Sequence, residues 1–210
     1  MRVRPVSVEV LVEELADELK SREPDNFLRV AIDGPDAAGP GRLADALVGP
    51  LRARGRPAVR VSTSDFLRPA SVRLEFGRDN PDSFYAGWFD EAGLAREVLD
   101  RAGPGGDGRI LTRLWNAETD RAARDPYHPL GPEAVVLVSG PLLLGGGSAF
   151  DFAVHLQMSA AALRRRTPPD QQWTLPAFER YADEVAPASF ADMVLRVDDP
   201  KRPAMVTERW

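Results

Sequence analysis

The chain has no cysteine, which excludes disulfides, thiolate nucleophiles and cysteine-held zinc outright. Lysine is nearly absent: Lys20 and Lys201 are the only two, and 25 of the 27 basic residues are arginine. Two histidines, His128 and His155, are too few for a histidine-rich metal site, and no metal ligand set is expected. No apolar run reaches the roughly 18 residues that a membrane-crossing helix needs. The first twenty residues, MRVRPVSVEVLVEELADELK, carry acids inside their apolar stretch and no small-residue cleavage site, unlike a secretory signal. The cytoplasm is therefore the expected compartment, with no membrane partner. A net charge of −5 argues against a general nucleic-acid binder.

What is present is an ordinary globular composition, 43% hydrophobic and 28% charged over 210 residues. That length suits one domain over 1–210 with a full core, or one domain with a small lid. Val8, Leu11, Val12, Leu15 and Leu19 recur at helical spacing and predict a helix over 7–22. FLRVAID (27–33) reads as a buried strand, 41–54 as a second helix and PAVRVST (57–63) as a strand. Residues 70–88 read as irregular. Asp90 caps a helix to about 102, with Phe89 stapled onto Leu94. RILTRLW (109–115) alternates as a strand does, and EAVVLVSG (133–140) is the near-continuous apolar run of a central parallel strand. FAVHLQM (152–158) is a further strand on which His155 alternates outward. Ser159 caps a short helix, 167–175 is a loop, 176–186 is helical, and DMVLRVDD (192–199) is the last strand. Strands separated by helices predict an α/β fold: a three-layer sandwich with a parallel sheet between helices, binding ligands at the strands' carboxyl ends.

One turn carries a motif. AIDGPDAAGPGRL places Gly34 and Gly39 at the spacing of a G-x-x-x-x-G-K-[ST] phosphate loop, between a strand and a helix. The two glycines alone also suit an ordinary tight turn. In a working loop, backbone N–H groups cradle phosphate, a lysine reaches the β and γ phosphates, and a hydroxyl holds Mg²⁺. Pro40 and Gly41 stand at those last two positions. Proline suits the first helical turn but removes both the ammonium and an N–H. The candidate phosphate-binding set is Gly34, Asp36, Ala37, Ala38, Gly39, Gly41 and Arg42. Arg42 is the nearest cation, and its plainer reading is an exposed helix arginine.

Taken in order, RVAIDGPDAAG, VSTSDFLRP, FGRDNPDSFY and VLVSGPLLL resemble the uridine kinase family of P-loop kinases, most of all its bacterial uridine kinase-like branch. The resemblance spans most of residues 7–198. It implies a P-loop nucleoside kinase fold with a short mobile lid, near 164–176, and transfer of the γ-phosphate of ATP or GTP to a uridine or cytidine 5′-hydroxyl. The chemical positions depart from the pattern. The family's lysine falls on Pro40, its metal hydroxyl on Gly41, its proton-accepting aspartate on Ser64 and its strand-end acid on Ser139. Its aromatic-Asp pair at the nucleoside base becomes Trp115-Asn116. Asp65, one place after Ser64, is a candidate substitute base. Arg164, Arg165 and Arg166 fall where the family places lid arginines, and a solvated helix end explains them equally well.

Phe66, Arg78, Tyr85, Trp115, Asn116 and Arg121 are candidates for a nucleoside-sized pocket. Each alone also suits core packing or surface exposure. Losing one general base costs about 10²–10⁴ in rate. Losing one electrostatic donor costs roughly 10²–10³. Four neutral replacements at catalytic positions therefore predict a protein impaired in phosphoryl transfer that keeps a nucleotide or nucleoside pocket as a binding or regulatory module. No cofactor is expected on that reading. Two others stay open. An active ATP-dependent nucleoside kinase would use Mg²⁺ with ATP or GTP, with Arg42 or a lid arginine as cation and Asp65 or Asp36 as base and metal ligand. A structural protein would keep its pocket closed and present a homodimer or partner surface.

Overall fold

A computed structural model describes residues 2–208. The first strand, β1 (Arg2–Pro5), leads into helix α1 (Val8–Ser21), which the Ser7 hydroxyl caps by accepting from Val10 N–H. Leu11, Leu15 and Leu19 of α1 are buried on the face that the helical spacing marks out. The helix ends without glycine. The buried Arg56 guanidinium takes over, donating to the carbonyls of Leu19 at 2.7 Å, Arg22 at 2.9 Å and Glu133 at 3.0 Å.

Strand β2 (Leu28–Asp33) is buried at every position and runs at the centre of the sheet. It turns into α2 (Pro40–Ala53), whose Pro50 lies in the final turn. Next come β3 (Ala58–Ser62) and α3 (Pro81–Gly87), then β4 (Val135–Gly140) and β5 (Phe152–Gln157). Last are α4 (Ala160–Arg166), α5 (Leu175–Glu184), β6 (Met193–Arg196) and β7 (Ala204–Glu208). The seven strands lie in the order β1-β7-β6-β5-β2-β4-β3. The five from β6 to β3 are parallel, and β7 pairs antiparallel with both of its neighbours, β6 and β1. The central sheet is thus parallel as expected, and it gains an antiparallel edge that the sequence reading left out: the chain doubles back after β6 to form β7, and the N-terminal β1 pairs onto β7.

Alternation divides the core. Val30, Ile32, Val135 and Leu137 face α1 and α2. Ala31, Val136, Val138 and Ala153 face the opposite layer of Leu94, Val98, Leu99 and Tyr181. The helical stretch over 91–102 in that layer contains a π-helical turn at Ala95–Leu99 and opens at Asp90, which accepts from Gly93 N–H at 2.9 Å.

Three local expectations are corrected. RILTRLW is not one strand: Arg109–Ile110 pairs with His128–Pro129, and Trp115–Asn116 pairs separately with Arg121–Ala122. The stretch 70–88 is not irregular throughout, because Pro81 and the Asn80 cap start α3 there. The loop over 167–175 is wound into a 3₁₀ turn at Pro169–Thr174. No described helix is long and apolar enough to cross a membrane.

Candidate functional site: an arginine-ringed loop at the strand ends

The register brings three strand ends side by side. Ile32 pairs with Ser139, Asp33 with Gly140, and Ser62 with Ser139. Above them, Asp36–Ala38 forms a single 3₁₀ turn, and Gly39 turns the chain into α2 with φ of 83°. That left-handed conformation suits glycine. Pro40 then sits at the first helical position, where its missing N–H costs nothing in the helix. The loop is therefore built as the glycine spacing predicts, but its donors are partly spent: Ala38 N–H goes to Pro35 O at 2.8 Å and Gly39 N–H to Asp36 O at 3.0 Å. With proline at 40, the first-turn donors left open toward a ligand are those of Gly41 and Arg42.

Arginines close over this loop. The Arg42 guanidinium folds back against Gly39, over the place a Cβ there would occupy. Arg166, at the end of α4, donates to Val197 O at 2.8 Å and lines the same cavity as Arg42. Burial first, and the Arg42 charge second, push the Arg166 guanidinium below its usual range. Arg60 comes from the other side. It points from edge strand β3 toward α2, donates to Asp45 at 2.7 Å, and lays its Nη2 2.6 Å from where a Cβ on residue 41 would stand.

The cavity in front of the loop measures about 620 Å³. Its wall is aromatic: Trp88 and Trp173 lie 5.3 Å apart between ring centroids, and Phe84 packs on both and on Phe178. Asp36 stands at its mouth, open to solvent yet ringed by protein, and desolvation pushes its carboxyl above the ordinary value of 3.8. A larger cavity of about 710 Å³ lies behind the loop, between the sheet and α5, and is mostly apolar.

At the floor of that second cavity is a buried polar network. Asp33 accepts from Leu143 N–H at 2.9 Å and bonds His155 Nδ1 at 2.7 Å. The Tyr181 hydroxyl accepts from Leu144 N–H at 2.8 Å and donates to Leu144 O at 3.3 Å. Burial and the neighbouring Asp33 push this phenol far above its usual range. His155 is thus buried rather than outward: Asp33 and His155 fall on the same face of adjacent strands. The network pins the turn after β4 to the end of β2, directly beneath the loop.

The structure gathers Gly34, Asp36, Ala37, Ala38, Gly39, Gly41, Arg42 and Arg166 at one place, while Arg164 and Arg165 point into solvent. Ser64 is exposed and shares a hydrogen bond with Ser62 at 2.7 Å. Asp65 is half-buried, with its carboxyl raised by desolvation against the pull of Arg113 and Arg60. The pocket set is scattered. Phe66 is 1% exposed in the core. Arg78 is on an exposed loop. Tyr85 donates to Glu184 at 3.1 Å beneath the Arg180 guanidinium. Trp115 and Asn116 spend their polar groups inside their own hairpin, on Asp120 and on the N–H groups of Glu118 and Thr119, and Arg121 is exposed beside them. Sequence reasoning missed Arg60, Phe84, Trp88 and Trp173. A charged residue in the middle of an otherwise apolar strand was the one available signal for Arg60. Phe84 and Trp88, four apart, mark one helix face.

The residues do not fit a loop-type Mg²⁺ site. Gly41 has no hydroxyl, and a guanidinium fills the space where one would project. Ser139, at the neighbouring strand end, offers no carboxylate; it is 1% exposed, with an Oγ that makes no hydrogen bond.

No family model matches the chain, and no curated protein matches it. Solved structures do. A possible uridine kinase from Bacillus stearothermophilus aligns at 19% identity over 89% of this chain and 98% of that one, with a TM-score of 0.73. A protein assigned as a fructose transport system kinase, from Silicibacter sp. TM1040, aligns at 22% identity over 88% and 93%, with a TM-score of 0.56. The YGR205w protein aligns at 11% identity over 97% and 100%, with a TM-score of 0.61. At these identities the likeness is one of fold: the chain has the α/β architecture of uridine kinase-like P-loop kinases.

Proposed function

We propose that this chain is a uridine kinase-like P-loop protein that binds a nucleotide or nucleoside and transfers phosphate poorly or not at all. One observation carries the reading. The loop, its glycine turn and the aromatic cavity in front of it are built, while Pro40, Gly41, Ser64 and Ser139 supply no cation, metal ligand or base. A cavity of about 620 Å³ is the size of small-molecule sites generally, roughly 300–1,000 Å³. Its rings suit stacking on a base, and its guanidiniums suit phosphate. Calorimetric titration with ATP and with uridine tests the binding half: heat from at least one supports it, and none from either overturns it.

A second reading, an active kinase, is favoured by one residue. Asp65 is half-buried beside Arg60 and Arg113, and its raised carboxyl suits a base better than an ordinary surface aspartate does. Asp65→Asn discriminates between the two: loss of a measurable transfer rate favours the active kinase.

A further inference from the structure

Gly41 and Arg60 together deepen the proposed reading, on which this inference rests. We infer that the loop binds a di- or triphosphate without a divalent cation, with the Arg60 guanidinium standing where the metal's protein ligand would be and Arg42 and Arg166 gripping the phosphates over the loop.

Four observations lead there. Arg60 Nη2 is 2.6 Å from the position of a Cβ on residue 41, so the space a serine or threonine would use to reach a metal is taken by a positive charge. Its Nε is buried and makes no hydrogen bond, and Asp45 takes only Nη1. Ser139 lies on the same sheet face, two residues beyond Leu137, the register partner of Arg60, and its buried Oγ has no partner, which leaves an unmet polar group under the loop. Arg42 and Arg166 meet across one cavity although their charges repel, an arrangement that an anion between them relieves.

The chemistry is consistent. Mg²⁺ demands about six oxygen ligands at about 2.0–2.1 Å and keeps several waters. A resident guanidinium repels the ion and blocks that shell. A guanidinium instead meets phosphate oxygens with paired N–H donors. With Ala38 and Gly39 N–H spent inside the turn, the side chains must supply what the backbone does not. Free nucleotide, more negative than its metal complex, is therefore the better ligand.

The test is calorimetry on the full chain with ATP and with tripolyphosphate, each in excess EDTA and in excess MgCl₂. The expected result is binding in EDTA that Mg²⁺ weakens. Arg42→Ala and Arg166→Ala each lower the EDTA affinity by about tenfold to a hundredfold, as the loss of a charged hydrogen bond does. Arg60→Ala lowers it similarly and abolishes the antagonism by Mg²⁺. ATP binding more tightly than tripolyphosphate assigns the phosphate to a nucleotide, and equal affinities assign it to free polyphosphate. Binding that requires Mg²⁺ overturns the inference and leaves the nucleotide reading standing. No binding of uridine, ATP or tripolyphosphate in either buffer overturns both.

Discussion

At the residue scale, the site is decided by which charges share the cavity. Asp36 is the one acid among guanidiniums at its mouth, and burial rather than a partner raises its carboxyl. Because the folded value lies above the unfolded one, the contribution of Asp36 to stability is fully present below the ordinary value of 3.8 and is lost as pH rises through the folded value. Asp36→Asn should therefore raise the melting temperature at neutral pH and flatten its pH dependence across that window, while leaving it unchanged in stronger acid. Melting curves across the acid-to-neutral range check this; an unchanged neutral melting temperature contradicts it. The same scale shows what the sequence held. Pro40 and Gly41 were legible because a loop motif fixes each letter's place. Arg60 was not, because its aim depends on the strand's register beside α2. Choosing Tyr85 over Phe84 missed the pocket by one residue: one step along a helix turns the side chain by about 100°, here toward Glu184 and away from the cavity.

At the element scale, α1 and α2 are held by charges that reach in from neighbouring segments. Arg56 serves as the C-terminal cap of α1 from outside the helix, and its burial lowers its guanidinium from the usual range. Arg56→Ala strands those carbonyls and should cost roughly 2–4 kcal/mol, read as a fall in the urea midpoint. A loss under about 0.5 kcal/mol, the size of an ordinary surface substitution, would show that water caps the helix equally well. At the other end of the α-layer, Gly41→Ser should destabilise α2 by forcing Arg60 off it. Arg60→Ala should remove most of that penalty, with a coupling of about 0.5–3 kcal/mol in the double-mutant cycle. Additive effects would place Arg60 away from Gly41. Restoring kinase letters at Pro40, Gly41, Ser64 and Ser139 alone is accordingly expected to fail while Arg60 remains. Among elements, the buried parallel strands were legible as apolar runs. RVRP and AMVTE were not: β1 is exposed along its whole length, so no buried apolar face marks it in the sequence.

At the scale of the whole molecule, the fold and the chemistry point in different directions. The fold aligns with uridine kinase-like P-loop kinases over most of the chain, at identities too low to carry an activity. The apolar skeleton that builds a sheet tolerates many sequences. Phosphoryl transfer needs particular charges within a fraction of an ångström. The three-dimensional neighbourhood adds what single letters cannot: an arginine over Gly41, a buried unpaired Ser139, and a network of Asp33, His155 and Tyr181 that keeps the loop's floor in place. These features are what the proposed reading, a binding protein on a kinase-like fold, requires.

The most direct measurement of that claim is the turnover number for transfer of labelled γ-phosphate from ATP to uridine and cytidine, with saturating ATP and excess Mg²⁺. Ordinary kinases turn over at about 1–100 s⁻¹. The account predicts transfer more than about a hundredfold below that range, from a sample that binds nucleotide in the calorimeter. Transfer within the ordinary range would contradict it.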